Sequence, residues 1–147
     1  KVYKNSLDAN KLLIIRPPLI YSIYDKKGYH PGRFINDAIS LGKIELWGEG
    51  FELREFLNVI DASYLINLFA IRKISGLINL VSGKSYSYNS IAIEIQKNQN
   101  CQIIFKERDS KIVNHSYAAK KIRNIIDKYE FLSPIQSVNL FFGKCRI

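Results

Sequence analysis

The chain has 147 residues, which suits one compact domain and leaves no room for a complete two-domain enzyme. Hydrophobic residues make up 47% and aromatic residues 12%, which excludes a disordered segment, and the apolar runs are strand-sized, too short to cross a bilayer. The net charge of +9 permits a small basic module for nucleic acid or another polyanion, but the basic residues are scattered, with no run longer than Lys26-Lys27, Arg72-Lys73 or Lys120-Lys121.

Residues 12–15 are continuously apolar and lead into Arg16-Pro17-Pro18, which predicts a buried parallel strand that stops where proline removes the ladder donors. Residues 21–32, with Asp25, Lys26, Lys27, Gly28 and Pro31, have no apolar period and predict a loop. Phe34, Ala38 and Leu41 recur at helical spacing, and Gly42 is placed to end that helix. A short strand is expected at 44–47, before the Gly48-Glu49-Gly50 turn, and another at 56–60. Asp61 reads as the N-cap of a helix whose Ala62, Leu65, Ile66 and Phe69 form one stripe, with Arg72 and Lys73 near its C-terminal dipole and Gly76 beyond. Residues 77–81 predict a second buried strand, Ser82-Gly83 a turn, and Tyr88, Ile91, Ala92 and Ile95 a helix. A strand at 103–105 follows, then a helix marked by Ile122, Ile125, Ile126 and Tyr129 and capped by Ser116 or a neighbour. The order is α/β with a few short strands and no internal repeat.

Cys101 and Cys145 form neither a disulfide framework nor a metal-ligand pair, and no signal peptide opens the chain, which points to the cytoplasm. His30 and His115 lie far apart with no partner at zinc-ligand spacing, so no metal site is expected. The chain begins at Lys1 and not at Met, as a piece of a longer protein would.

The motifs Arg16-Pro17-Pro18-Leu19-Ile20-Tyr21, Leu46-Trp47-Gly48-Glu49-Gly50, Arg54-Glu55-Phe56-Leu57-Asn58-Val59-Ile60-Asp61 and Ile78-Asn79-Leu80-Val81-Ser82-Gly83 follow one another in an order that resembles a known family. It is the C-terminal half of the NAD-dependent nucleotide-sugar epimerases and dehydratases of the extended short-chain dehydrogenase type, such as the UDP-glucose 4-epimerases. The resemblance runs from residue 11 to residue 97 and more faintly to 142. Each motif is weak alone, and Gly-x-Gly followed by Arg-Glu-Phe and then Val-x-Asp is the strongest part.

The resemblance implies that residues 1–147 are a single fragment, the end of a Rossmann sheet plus the small substrate-binding subdomain. It implies a nucleotide-diphosphate sugar as partner, NAD held mainly by an N-terminal domain outside this chain, hydride chemistry through a transient keto intermediate, and a homodimeric parent. Arginines matching Arg54 and Arg108 would grip the diphosphate, and Leu46 and Trp47 would line the base pocket. Leu19 stands where many relatives carry an Asn that helps hold the substrate, a departure from the pattern. Pro18 and Tyr21 would lie near the cofactor, Tyr21 close to the nicotinamide and the sugar.

The same residues can be read without the family. Arg54 follows a glycine turn and precedes a strand, where a planar guanidinium can be held rigidly beside a cleft, and Arg108 follows a strand in a comparable place. The alternative for both is a solvated ion pair. Trp47 could offer a stacking face or fill the core, and Tyr21 could instead be a buried, hydrogen-bonded tyrosine. Asp61 could be a catalytic carboxylate, but an Asp before an apolar stripe reads as a cap. The family's chemistry needs a Tyr-x-x-x-Lys pair, in which the lysine lowers the tyrosine pKa. Tyr117 and Lys121 match that spacing, yet with 9 tyrosines chance predicts roughly one match. In the family the pair precedes the strand that ends in Arg-Pro, so it belongs upstream of Lys1, and segment 1–10 fits the end of the helix that would carry it. No Gly-rich phosphate loop follows a first strand either. No catalytic residue is therefore expected in this chain, and no NAD-dependent turnover from it alone.

Overall fold

A computed structural model of the chain describes residues 11–25 and 31–143. Lys26-Lys27, Gly28, His30, Cys145 and segment 1–10 lie outside the described residues. The elements are α/β as the sequence predicts, but the short strands at 19–21 and 85–87 have no predicted counterpart, so strands precede the first three helices in pairs, and the strands form three small sheets. β1 (Leu13–Arg16) pairs in parallel with β5 (Gly76–Asn79), and β3 (Lys43–Trp47) in parallel with β7 (Gln102–Lys106). β4 (Leu53–Asn58) lies between β2 (Leu19–Tyr21), parallel to it, and β6 (Ser85–Ser87), antiparallel. The helices are α1 (Gly32–Leu41), α2 (Val59–Ile71), α3 (Tyr88–Asn98), α4 (Lys120–Ile126) and α5 (Pro134–Phe141).

Period-two alternation along β4 divides the apolar interior into two cores. Phe56 enters the first with Tyr21, Phe34, Ala38, Ile44, Leu46 and the buried face of α3, which is Ile91, Ala92 and Ile95. Leu57 enters the second with Ala62, Leu65 and Phe69 of α2, Ile78 of β5, and Ile122 and Ile126 of α4.

Several boundaries differ from those predicted. The strand expected at 56–60 runs from Leu53 to Asn58, so Arg54 lies within it and does not precede it, and Val59-Ile60, strand-like by β-branching, open α2. The cap of α2 is Asn58, whose Oδ1 accepts from Ile60 N at 2.9 Å. Asp61 is thus not the cap. It is buried in the first helical turn, where it accepts from Tyr129 Oη at 2.7 Å and from Leu132 N at 2.9 Å, tying α2 to the segment before α5. Leu41 and Ile66 are exposed, because the buried stripes run through Ile35 and Ala38 in α1 and through Leu65 and Phe69 in α2. β1 is half-buried, with Ile14 exposed. Ser116 caps nothing, since α4 starts after Ala119 without a side-chain cap, and Tyr129 lies beyond that helix. α5 has no counterpart among the predicted elements, although Ser133 and Gln136 form a reciprocal capping box around Pro134.

This packing sets two expectations for stability. Phe69→Ala and Ile95→Ala, each at a fully buried site, should lower stability by about 2–5 kcal/mol, against about 0.5 kcal/mol or less for Ile71→Ala at an exposed one. Urea melts of the three variants check this. The second concerns Glu55, which is 1% exposed and accepts from Gly83 N at 2.6 Å and Ser82 Oγ at 3.0 Å. Burial raises its pKa above the ordinary 4.5. The folded chain then holds this proton more tightly than the unfolded one, so Glu55 lowers stability as pH rises from about 4.5 through the raised value. Glu55→Gln should remove that fall, and urea midpoints at pH 4 and pH 8 should show the variant gaining on the wild type at the higher pH.

Candidate functional site

The parallel register of β3 and β7 pairs Leu46 with Phe105 and Trp47 with Lys106, so both strands end side by side. Their continuations, the Gly48–Gly50 turn and residues 107–110, meet the start of β4 and of α3 around a cleft of about 460 Å³. Gly50 is forced by this closeness. A Cβ there would stand 3.0 Å from Leu46 Cδ1 and 3.2 Å from Asn89 N, and its φ of +68° is one that side-chain-bearing residues avoid. Outside the carboxyl ends of parallel strands is where open α/β sheets place ligands.

Four of the residues singled out in the sequence, Arg54, Arg108, Leu46 and Trp47, line this cleft together. Trp47 is 64% exposed, so it is not a core tryptophan, and Lys106 Nζ lies 5.7 Å from its ring centre. Leu46 is buried and forms the floor. Arg54 is clamped by backbone carbonyls. Its Nη1 donates to Leu53 O at 2.9 Å and to Val113 O, while Asn114 and His115 hold the 107–119 segment against Leu53. Among the described residues no carboxylate lies within ion-pair distance of Arg54.

Arg108 differs. Its Nη1 donates to Glu52 Oε1 at 2.6 Å and its Nε to Ser110 Oγ at 3.1 Å, in an ion pair largely screened from solvent. Glu45, also on the cleft wall, is flanked by Lys106 at 2.5 Å and Lys43 at 3.0 Å, which hold its carboxyl down to about 2. Tyr88 reaches the cleft from the start of α3, and burial raises its pKa even though Arg54 beside it opposes the shift.

The other candidates lie elsewhere. Tyr21 is 2% exposed, its hydroxyl bonded to Ser137 Oγ at 2.8 Å and to Leu132 O at 3.2 Å. Burial pushes it up to about 12, which makes it the buried, hydrogen-bonded tyrosine of the two alternatives. Leu19 pairs with Phe56 and packs on the first core, and Pro18 precedes it, half-buried. Tyr117 lies before α4, and Lys121 Nζ donates to Leu77 O at 2.7 Å, so the two do not share a helix face. Among the described residues no group of His, Cys, Asp and Glu could hold a metal, and no helix is long and apolar enough to cross a membrane.

Glu45, Glu52, Tyr88, Glu107 and Asp109 of the cleft wall were not singled out in the sequence. Glu52 had a signal, since it lies two residues before Arg54 and strand alternation sends both side chains to one face. Tyr88 had none, because its place depends on the fold of α3 against β4. A second cavity of about 390 Å³ is lined by Ser82, Lys84, Arg123 and Lys128, with Asp127 and Glu130. Arg123 is tied there to Ser82 O at 2.6 Å and Tyr129 O at 3.1 Å and lies over the Phe131 ring, which makes it a brace between segments.

No protein-family model and no curated protein matches the chain. Solved structures do. ADP-L-glycero-D-manno-heptose-6-epimerase from Helicobacter pylori matches with a TM-score of 0.73 and 16% identity, over 88% of this chain and 42% of that one. UDP-glucose 4-epimerase from Thermus thermophilus, in complex with NAD, matches with a TM-score of 0.72 and 17% identity, over 98% and 50%. dTDP-glucose 4,6-dehydratase from Bacillus anthracis, in complex with NAD, matches with a TM-score of 0.70 and 19% identity, over 90% and 44%. The chain therefore spans half or less of the length of these proteins. With its parallel pairings and their order, it has the fold of the C-terminal portion of the extended short-chain dehydrogenases that act as nucleotide-sugar epimerases and dehydratases.

Proposed function

We propose that this chain is the nucleotide-sugar-binding portion of an NAD-dependent sugar-nucleotide epimerase or dehydratase, and that the cleft between Trp47, Arg54 and Arg108 takes the nucleoside diphosphate. The observation that carries this reading is the state of Arg54. Its guanidinium is positioned by two backbone carbonyls and neutralised by no carboxylate among the described residues, at the mouth of a cleft beside a glycine turn. A cation fixed by neutral groups keeps its full charge for an anion, and a planar fork can make two charge-assisted bonds to one phosphate. Arg108, a second guanidinium on the same wall but already paired with Glu52, adds donors to the grip and less net charge than Arg54, and the exposed Trp47 ring offers a face to the base.

In this reading cofactor binding and hydride chemistry fall mainly to the rest of the parent enzyme, in keeping with the half or less of the NAD-bound neighbours that the chain spans. The β1–β5 pair supports this division. Two-stranded parallel sheets rarely stand alone, and Ile14 and Leu77, neighbours in its register, are both exposed, as expected for the end of a larger sheet. A polyanion-binding module fits less well, since Glu45, Glu52, Glu107 and Asp109 interrupt any continuous basic track through the cleft.

Trp47 is the one tryptophan in the chain, so intrinsic fluorescence reports on this cleft. Titration with UDP-, dTDP-, ADP- and GDP-sugars in moderate salt should give a saturable change with one of them. Arg54→Ala should weaken that binding by about 1.5–3 kcal/mol, and Arg54→Lys nearly as much, because a lysine keeps the charge but loses the fork. Unchanged affinity in Arg54→Ala would refute the assignment. Full affinity in Arg54→Lys would show that charge alone suffices, and a steep salt dependence shared with nucleic acid would favour the polyanion reading.

A further inference from the structure

Glu52 does two things in the cleft, and only one is explained by Arg108. Its Oε1 accepts from Arg108 Nη1 at 2.6 Å, whereas its Oε2 is buried and has no hydrogen-bond donor among the described residues. The side chain is 8% exposed and lines the cleft with Arg54 and Trp47. Glu55 Oε2 and Asn98 Oδ1 are also without a partner, but neither residue borders this cavity. A buried carboxylate oxygen is costly to leave without a donor, so the natural partner of Glu52 Oε2 is a donor brought by the ligand.

The chemistry of that donor follows from the strand. Glu52 and Arg54 flank Leu53 and project to one side, about 7 Å apart along the backbone. A phosphate on Arg54 thus leaves Glu52 within reach of the group next along the ligand, which in a nucleotide sugar is a ring bearing hydroxyls. A carboxylate accepts from a hydroxyl and repels a phosphate oxygen. We propose that Glu52 is a specificity-determining residue of this cleft, its Oε2 accepting a hydrogen bond from a hydroxyl of the sugar that adjoins the diphosphate while its Oε1 holds Arg108 in place. This rests on the reading of the cleft as a nucleotide-sugar site. It makes the site selective for a sugar-bearing diphosphate over a bare one, because only the former brings a donor to Glu52 Oε2.

The experiment follows Trp47 fluorescence in the wild-type chain and in Glu52→Gln. The probes are the nucleoside diphosphate that binds best among those of uridine, thymidine, adenosine and guanosine, its 2′,3′-dideoxy form, its glucose ester, and inorganic pyrophosphate. Arg108 fixes how the new amide sits, with the carbonyl facing the guanidinium and the amide nitrogen replacing the acceptor. Glu52→Gln should weaken the sugar-bearing ligands by about tenfold and leave pyrophosphate affinity unchanged or raised. A loss confined to ligands with ribose hydroxyls assigns the donor to the ribose. A loss that appears only with the glucose ester assigns it to the hexose. If Glu52→Gln strengthens sugar-bearing ligands and pyrophosphate alike, Glu52 merely opposes anions and the proposal is overturned, as it is if neither changes. Should the variant not fold, the wild type alone decides the question, since equal affinity with and without the ribose hydroxyls and with and without glucose also overturns the proposal. Failure of the cleft reading itself looks different, because then no nucleoside diphosphate changes the fluorescence of the wild-type chain.

Discussion

Along β4 successive side chains leave on opposite faces while both strand edges are hydrogen-bonded, and most of the molecule is arranged around that one constraint. On one face Arg54 reaches the cleft, Phe56 fills the first core, and Asn58 caps α2 and donates to Ser137 of α5. On the other face Glu55 pins the Ser82–Gly83 turn and Leu57 fills the second core. A one-residue slip in register would exchange the two sets, placing Arg54 and Glu55 where apolar neighbours are packed. The position of the cleft arginine is thereby linked to the stability of both cores.

The cleft itself is governed by which cations already have a carboxylate. Lys43 and Lys106 are engaged with Glu45, and Arg108 with Glu52, whereas Arg54 is oriented by carbonyl groups that do not cancel its charge. Charge-assisted hydrogen bonds strengthen where water is partly excluded, and a preoriented guanidinium loses little side-chain freedom when an anion arrives. A net charge of +9 is thus a poor guide to which cations of the cleft lack a carboxylate partner. Local pairing decides it.

The two cores depend on polar pins as well as on apolar contact. Asp61 joins α2 to Tyr129 and Leu132, and Tyr21 joins β2 to Ser137 in α5, so the irregular segment between α4 and α5 is fastened at both ends. Buried polar groups of this kind are tolerated only when satisfied, and these are. They hold the C-terminal helices across β2 and β4, and they give structural roles to Asp61, which could have been a catalytic carboxylate, and to Tyr21.

The sequence by itself determined the elements with strong local signals. The Gly42 stop of α1, the stripe ending at Phe69, the Ile91-Ala92-Ile95 face and the strand before the Gly48–Gly50 turn are set by side-chain period and by backbone conformations available to glycine. It also determined four wall residues of the cleft, because motifs at strand ends carry their position with them. It was ambiguous at Val59-Ile60, where β-branched residues suit a strand and only the Asn58 side chain makes a helix start. Tertiary structure alone decided that Asp61 and Tyr21 are buried fasteners, that Trp47 is exposed, and that Glu52 neutralises Arg108 while leaving Arg54 its charge. The pairings of Asp61, Tyr21 and Arg108 join residues 56 to 116 positions apart, such as Glu52 with Arg108 or Ser137 with Tyr21, and no local period records a pairing at that distance.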